Sequence, residues 1–216
     1  MPDVIIYLGP SLPRVEAEQI LPSGPEVLYL PPVRRGDLVS AIASGPKIIG
    51  IIDGLFFENA AVGHREILGA LRAGIRVIGA SSMGALRAAE LEPFGMEGVG
   101  EVFERYRDGI LESDDEVALI CDPITNIALS EALVNIRITL EKARDNNLID
   151  GDDFSNLLTS SMNLYYPERT WGQVIKSGTM PQEKREELRI WLEENRVDQK
   201  REDAKRALIY IREILD

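Results

Sequence analysis

The chain has 216 residues and a mass of 24.0 kDa, with 44% hydrophobic and 28% charged residues, a profile that excludes collagen-like and wholly disordered chains. A chain of this length buries roughly 70% of its unfolded surface and needs no disulfide or metal staple. Its net charge is −12, with −3 up to Gly100 and −9 beyond, so phosphate backbones repel it and nucleic acid is not an expected partner. The single cysteine, Cys121, excludes an intrachain disulfide and any CxxC pair. Apolar runs reach only about half a dozen residues, too few to span a membrane. The opening MPDVIIYLGP has no basic n-region and reads as a first strand, so a cytoplasmic location is expected.

Up to Leu91, β-rich runs alternate with helical ones. Strands are expected at Val4 to Leu8, Val27 to Leu30, Lys47 to Ile52 and Ile75 to Gly79, each ending in Gly, Pro or Asp or just before one. Helices are expected at Pro13 to Ile20, Gly36 to Ala43, Ala61 to Ala73 and Met83 to Leu91. Near-continuous apolar strands between helices predict an α/β fold, a mostly parallel sheet flanked by helices. Ligands of such sheets bind beyond the carboxyl ends of the strands. Beyond Pro93 the strand signal disappears. Helices are expected at Glu101 to Arg107, Ser130 to Arg144, Asp152 to Met162, Pro181 to Asn195 and Asp198 to Leu215. The expected organisation is a core domain over 1–120 and an α-helical C-terminal region over 121–216 packed on it.

Two stretches carry chemistry. In RVIGASSMGALRAAEL, Ala80-Ser81-Ser82-Met83-Gly84 fits a small-x-Ser-x-Gly nucleophile elbow between a buried strand and a helix. Such a turn projects Ser82 at the sheet's carboxyl edge and leaves the N–H groups of Met83 and Gly84 to hold an oxyanion. The bland alternative is a serine N-cap with glycine for helix-strand packing. In IIDGLFFENAAVGHREIL, Asp53 ends a strand and the lone histidine, His64, lies with Arg65 and Glu66 at a helix start. These supply a titratable group, a fixed cation and an anion; the alternative is a capped turn and a solvated helix start. Asp114, Asp115 and Glu116 resemble a magnesium cluster without an EF-hand pattern, and acidic runs more often face solvent or cap helices. The Gly95 to Gly100 run has the wrong order for a dinucleotide fingerprint. No metal and no cofactor are expected. Cys121, beside Asp122 and Pro123, reads as a packed small hydrophobe.

GPSL (Gly9 to Leu12), PPVRRGDL (Pro31 to Leu38), IIDGLF, HREIL, SMGALRAAEL, FGMEGVG, YRDG and DDEVAL follow one another from Gly9 to Leu119. In this order they resemble the TfuA-like family, and YPERTW at Tyr166 to Trp171 looks similar with less diagnostic pattern. The resemblance implies an accessory role in thioamidation of peptide backbones. The implied partners are a YcaO enzyme, which activates an amide with ATP, and a ThiS-type sulfur carrier, whose C-terminal thiocarboxylate is hydrolysed to release sulfide.

The family's hydrolase-like site features a serine-lysine pair. The serine falls on Ser82, and the lysine position in HREIL is Arg65, which stays protonated but can bind an oxyanion or carboxylate. Lys47 begins a strand and is expected roughly 20 Å from the carboxyl edge, by strand rise. His64 is then the expected base for Ser82, with Asp53 or Glu66 orienting it. Ser11 and Arg87 complete the expected binding set. The rival expectations are a non-catalytic adaptor that brings peptide or carrier to YcaO, and a small-molecule binder at the sheet edge, the latter by fold analogy alone.

Overall fold

The strands are short runs of Val, Ile, Leu and Tyr, side chains that fill both faces of a covered sheet. The computed structural model describes residues 1–56, 60–122 and 124–215; Phe57, Glu58 and Asn59 of the second stretch, and Pro123 beside Cys121, lie outside them. In chain order the elements are β1 (Val4–Tyr7), α1 (Arg14–Ile20), β2 (Val27–Leu30), α2 (Asp37–Ala43), β3 (Ile48–Ile51) and α3 (His64–Arg72). There follow β4 (Arg76–Ala80), α4 (Met83–Leu91), β5 (Glu97–Val99) and α5 (Glu101–Arg107). Then come α6 (Leu133–Asp145), α7 (Gly151–Asn163), α8 (Trp171–Ser177), α9 (Gln182–Asn195) and α10 (Gln199–Leu215). The chain forms two compact units. The first is Met1–Asp114 together with α10 from Lys200 onward, and the second is Asp115–Gln199.

The first unit is a parallel five-stranded sheet of order β2-β1-β3-β4-β5. The strand order reverses between β1 and β3, where a doubly wound sheet opens its ligand crevice. Val4, Ile6, Ile48, Ile52, Ile78 and Ala80 point to one face, against Ala17 of α1 and Ala204, Ala207, Leu208 and Ile211 of α10. Among the described residues, α1 is the one helix that a crossover supplies on that face. The returning α10 fills the rest, which ties the last helix to the first unit. Arg201 pairs with Glu16 of α1 at 2.5 Å, and the Tyr210 hydroxyl donates to Glu97 of β5 at 2.8 Å. The Asp203 carboxylate, fully buried, accepts the Val102 N–H at the start of α5.

The other face carries α4 at unusually short range. A Cβ at Gly84 would overlap the Ile51 carbonyl, and one at Gly79 would overlap the Gly84 carbonyl. Helix backbone thus lies directly on β3 and β4. The remainder of α4 is made of strong helix formers, with Met83, Ala85, Leu86, Ala88 and Leu91 buried, so one interior glycine is tolerated.

The second unit packs Leu133, Ile136 and Leu140 of α6, Leu157 of α7, Val174 of α8, and Leu188 and Leu192 of α9 into its own core. Asp150 caps α7 by accepting the Asp153 N–H, and Thr170 caps α8 by accepting the Gln173 N–H. Among the described residues, no helix of either unit is long and apolar enough to cross a membrane.

The α/β expectation and its four strands stand. Two elements differ from the sequence reading. The strand signal does not end at Pro93: Glu97–Val99 forms β5, a three-residue edge strand whose Glu-Gly-Val lacks an apolar run. And α8 was missed, although Thr170 and Gln173 spell a capping signal ahead of it.

The clamp between α4 and the sheet makes a direct prediction. Gly84→Ala should destabilise the protein by more than about 3 kcal/mol, the upper range for overpacking, because backbone rather than a flexible side chain is struck. Gly24→Ala, which meets nothing within 4 Å, should move stability little. Urea unfolding of the two variants checks this; near-equal midpoints would refute the clamp.

Candidate functional site

Three loops meet at the carboxyl edge: Gly9 to Ser11 after β1, Asp53 and Gly54 after β3, and Ser81 and Ser82 after β4. Asp53, 2% exposed, joins the first two. Its carboxylate accepts the N–H of Gly9 at 2.9 Å, the N–H of Ser11 at 3.1 Å and the Ser11 hydroxyl at 2.6 Å. A buried carboxylate is costly unless its oxygens are hydrogen-bonded, and here both are. Asp53 and Ser11 are therefore brought together, on the two strands flanking the order reversal. The third loop is close by: the Gly84 N–H donates to the Ile52 carbonyl at 3.4 Å, and a Cβ at Gly54 would strike the Met83 side chain.

The turn after β4 is sharper than an ordinary helix start. Ser81 has φ 68°, and the Ser82 N–H donates across it to the Ala80 carbonyl at 2.8 Å. That is a γ-turn in its rare, strained positive-φ form. The strain of the elbow thus sits on Ser81, one residue before the serine singled out from sequence. Ser82 is the N-cap of α4 and the glycines pack helix on strand, as the bland alternative has it, yet the Ser82 side chain makes no capping hydrogen bond. The Ser81 hydroxyl is fully buried with no partner among the described residues. Of the two expected oxyanion donors, the Met83 N–H is unengaged among the described residues and the Gly84 N–H is taken by Ile52. The Ala85 N–H, which the sequence reading missed, is likewise unengaged. Unpaired N–H groups at a helix start carry the positive end of its dipole.

The remaining expected residues gather elsewhere. His64 Nε2 lies 2.7 Å from Glu90, and Arg87 reaches the same carboxylate at 2.5 Å and the Val62 carbonyl at 3.3 Å. Glu90 is eight residues past Ser82, about 12 Å along the helix axis. This trio, with Arg87 the most buried member, fastens α3 to α4. Neither Asp53 nor Glu66 orients His64: Asp53 is occupied at Ser11, and Glu66 accepts the N–H groups of Gly36 and Gly63 at 2.8 and 3.2 Å. Arg65 is exposed and makes no ion pair among the described residues. Lys47 pairs with Asp3 at the amino end of β3, as far from the site as strand rise requires. A groove of about 300 Å³ lies beside β2 and α2, lined in part by Tyr7, Leu30 and Arg34. It contains none of the expected site residues.

The acidic run has a structural use within the second unit. Arg169, 1% exposed, donates to the Asp115 carboxylate and carbonyl and to the Ser161 carbonyl, while Arg137 pairs with the buried Glu116. A buried guanidinium requires such partners. Glu131 accepts from Asn135 and from the Trp171 indole, and burial holds its carboxyl above the usual range. Cys121 is half-buried, its backbone bridged to Ala128.

A parallel sheet with a tight serine turn at its carboxyl edge defines the class as an α/β protein. The family model of TfuA-like protein matches residues 53–170, and the chain belongs to that family. Membership associates it, at family level, with YcaO-dependent thioamidation. The match spans the segment from Asp53 through the elbow to the capping Thr170; GPSL and PPVRRGDL precede it. No curated protein matches the chain.

Asp53→Asn tests the convergence of the loops. The amide presents one NH2 group to donors that need an acceptor, so stability should fall by about 2 kcal/mol, the range for hydrogen bonds to a charged group. Denaturant midpoints of the variant and wild type measure it, and an unchanged midpoint would contradict the assignment.

Proposed function

We propose that the protein hydrolyses the C-terminal thiocarboxylate of a ThiS-type sulfur carrier and supplies the sulfide to a partner YcaO enzyme. The observation that supports this reading most is the turn at 80–85: a serine hydroxyl that makes no capping bond, next to N–H groups of Met83 and Ala85 that are unengaged among the described residues. Ser82 Oγ bonds to the thioacid carbonyl carbon while those N–H groups receive the oxyanion. The C–S bond then breaks, the serine proton departs with sulfide as HS⁻, and the carrier remains as an ester on Ser82. Water cleaves the ester, giving the carrier carboxylate, free serine and a proton released to solvent. Since the leaving sulfur accepts the serine proton, the step needs no imidazole beside Ser82. His64 then serves to fasten α3 to α4, and the exposed Arg65 is available to a carboxylate of the carrier.

A second reading is the adaptor that recruits substrate or carrier without hydrolysis. The observation favouring it is closure: Ser82 is 1% exposed, and His64 is engaged by Glu90.

The two readings separate in an assay of sulfide release from a thiocarboxylated carrier. Ser82→Ala should lower the rate at least about a thousandfold, as nucleophile deletions do, whereas His64→Ala should stay within about threefold of wild type. A Ser82→Ala rate above about a tenth of wild type would remove the nucleophile assignment. A large loss in His64→Ala, with activity rising through imidazole titration near about 6.5, would restore the histidine as base. No sulfide from wild type, with thioamidation from free sulfide still stimulated, would leave the adaptor.

A further inference from the structure

Ser81 bears two costs for which the fold gives no return. The first is conformational. Every other described residue at positive φ is glycine or asparagine, the types that reach this region most readily. The second is polar: its hydroxyl is buried and unpartnered among the described residues. Buried polar groups are nearly always paired, and an exception calls for a cause. Glycine would make the same turn without either cost. What serine adds is a hydroxyl, so the cause lies in something the hydroxyl does.

Its neighbours along the chain limit what that partner can be. Within five consecutive residues stand the Ser81 and Ser82 hydroxyls and the N–H groups of Met83 and Ala85, unengaged among the described residues, at the positive end of the nine-residue α4. The amides only donate, and the hydroxyls can donate as well. The ligand class that matches such a set is an anion with more than one acceptor atom. The site is nearly closed, with Ser81 at 0% and Ser82 at 1% exposure, which suits a slender chain terminus better than an internal amide.

We infer that Ser81 is a binding residue of this site, its hydroxyl held unpaired in the free protein and paired by the terminal carboxylate or thiocarboxylate of the ligand. The inference rests on the reading of Ser82 given above for the identity of the site. It differs from that reading in assigning recognition, rather than bond making, to the residue before the nucleophile.

The experiment uses wild type, Ser81→Ala and Ser81→Gly in two measurements. The first is thermal unfolding without ligand. If the hydroxyl is an unpaired cost, both variants melt higher, by about 2–4 °C for a chain of this size. A lower melting temperature would mean that the hydroxyl holds the fold together, through a buried water for instance, and would overturn the inference. The second is calorimetric titration with the carrier's C-terminal peptide, ending either in a free carboxylate or in a carboxamide.

Wild type should prefer the carboxylate, and both variants should lose about tenfold or more in affinity for it, as expected for a hydrogen bond to a charged group. Their affinity for the carboxamide should barely change. Carboxylate affinity unchanged in the variants, or no carboxylate binding by wild type, would overturn the inference. The Ser82 reading fails separately: Ser81-dependent carboxylate binding without sulfide release supports recognition and removes hydrolysis. Ser82-dependent release with Ser81-independent binding does the reverse.

Discussion

The contact between the backbone of α4 and strands β3 and β4 is the constraint on which the site depends. Gly84 lies against the Ile51 carbonyl, and Gly79 against the Gly84 carbonyl, with no room for a Cβ at either. A helix seated this close must start almost at once after its strand. Only Ser81 and Ser82 separate β4 from α4, and the reversal is compressed into a γ-turn with Ser81 at positive φ. Strain of this kind persists where surrounding structure over-determines it, and it concentrates at functional sites. The glycines therefore do more than allow packing: they set the turn that carries two hydroxyls and two amides unengaged among the described residues.

The rest of the first unit holds that arrangement in place. Asp53 ties the loop after β1 to the loop after β3 at the order reversal, and the Ile52 carbonyl ties β3 to the first turn of α4. α10 returns to cover the sheet face that α1 leaves open. The same logic accounts for most of the charged residues in the motifs. HREIL and SMGALRAAEL meet through His64, Glu90 and Arg87, fastening α3 to α4. DDEVAL and YPERTW meet through Asp115 and the buried Arg169. Motif residues with charged side chains are here chiefly braces, and the proposed chemistry falls to uncharged groups of one turn.

The fold was legible in the sequence because its signals are local. Apolar runs such as Val4 to Tyr7 and the Ala-Leu-rich stretch after Ser82 each specify their element almost alone. β5 was not legible, since three residues without an apolar run become a strand only through pairing with Ile78 to Ala80. The elbow was legible as a pattern, and its register was not. A Ser-Ser pair leaves open which residue takes positive φ, and the clamp decides it from outside the segment. His64 illustrates the other limit: adjacency to Arg65 and Glu66 in sequence suggested a shared site, yet helical geometry sends Glu66 to Gly36 and His64 to Glu90. The signal for Glu90 was present, seven residues after Met83 on the same helix, but the partner helix's placement was needed to use it.

The central claim is that Ser82 forms an ester with the carrier. Intact-mass analysis of the protein quenched during turnover with a thiocarboxylated carrier tests this most directly, with fragmentation to locate the linkage in the peptide from Val77 to Arg87. The account predicts an adduct that has lost sulfide and is attached at Ser82. An adduct mapped to Ser81, or rapid sulfide release with no adduct under any quench, would contradict it.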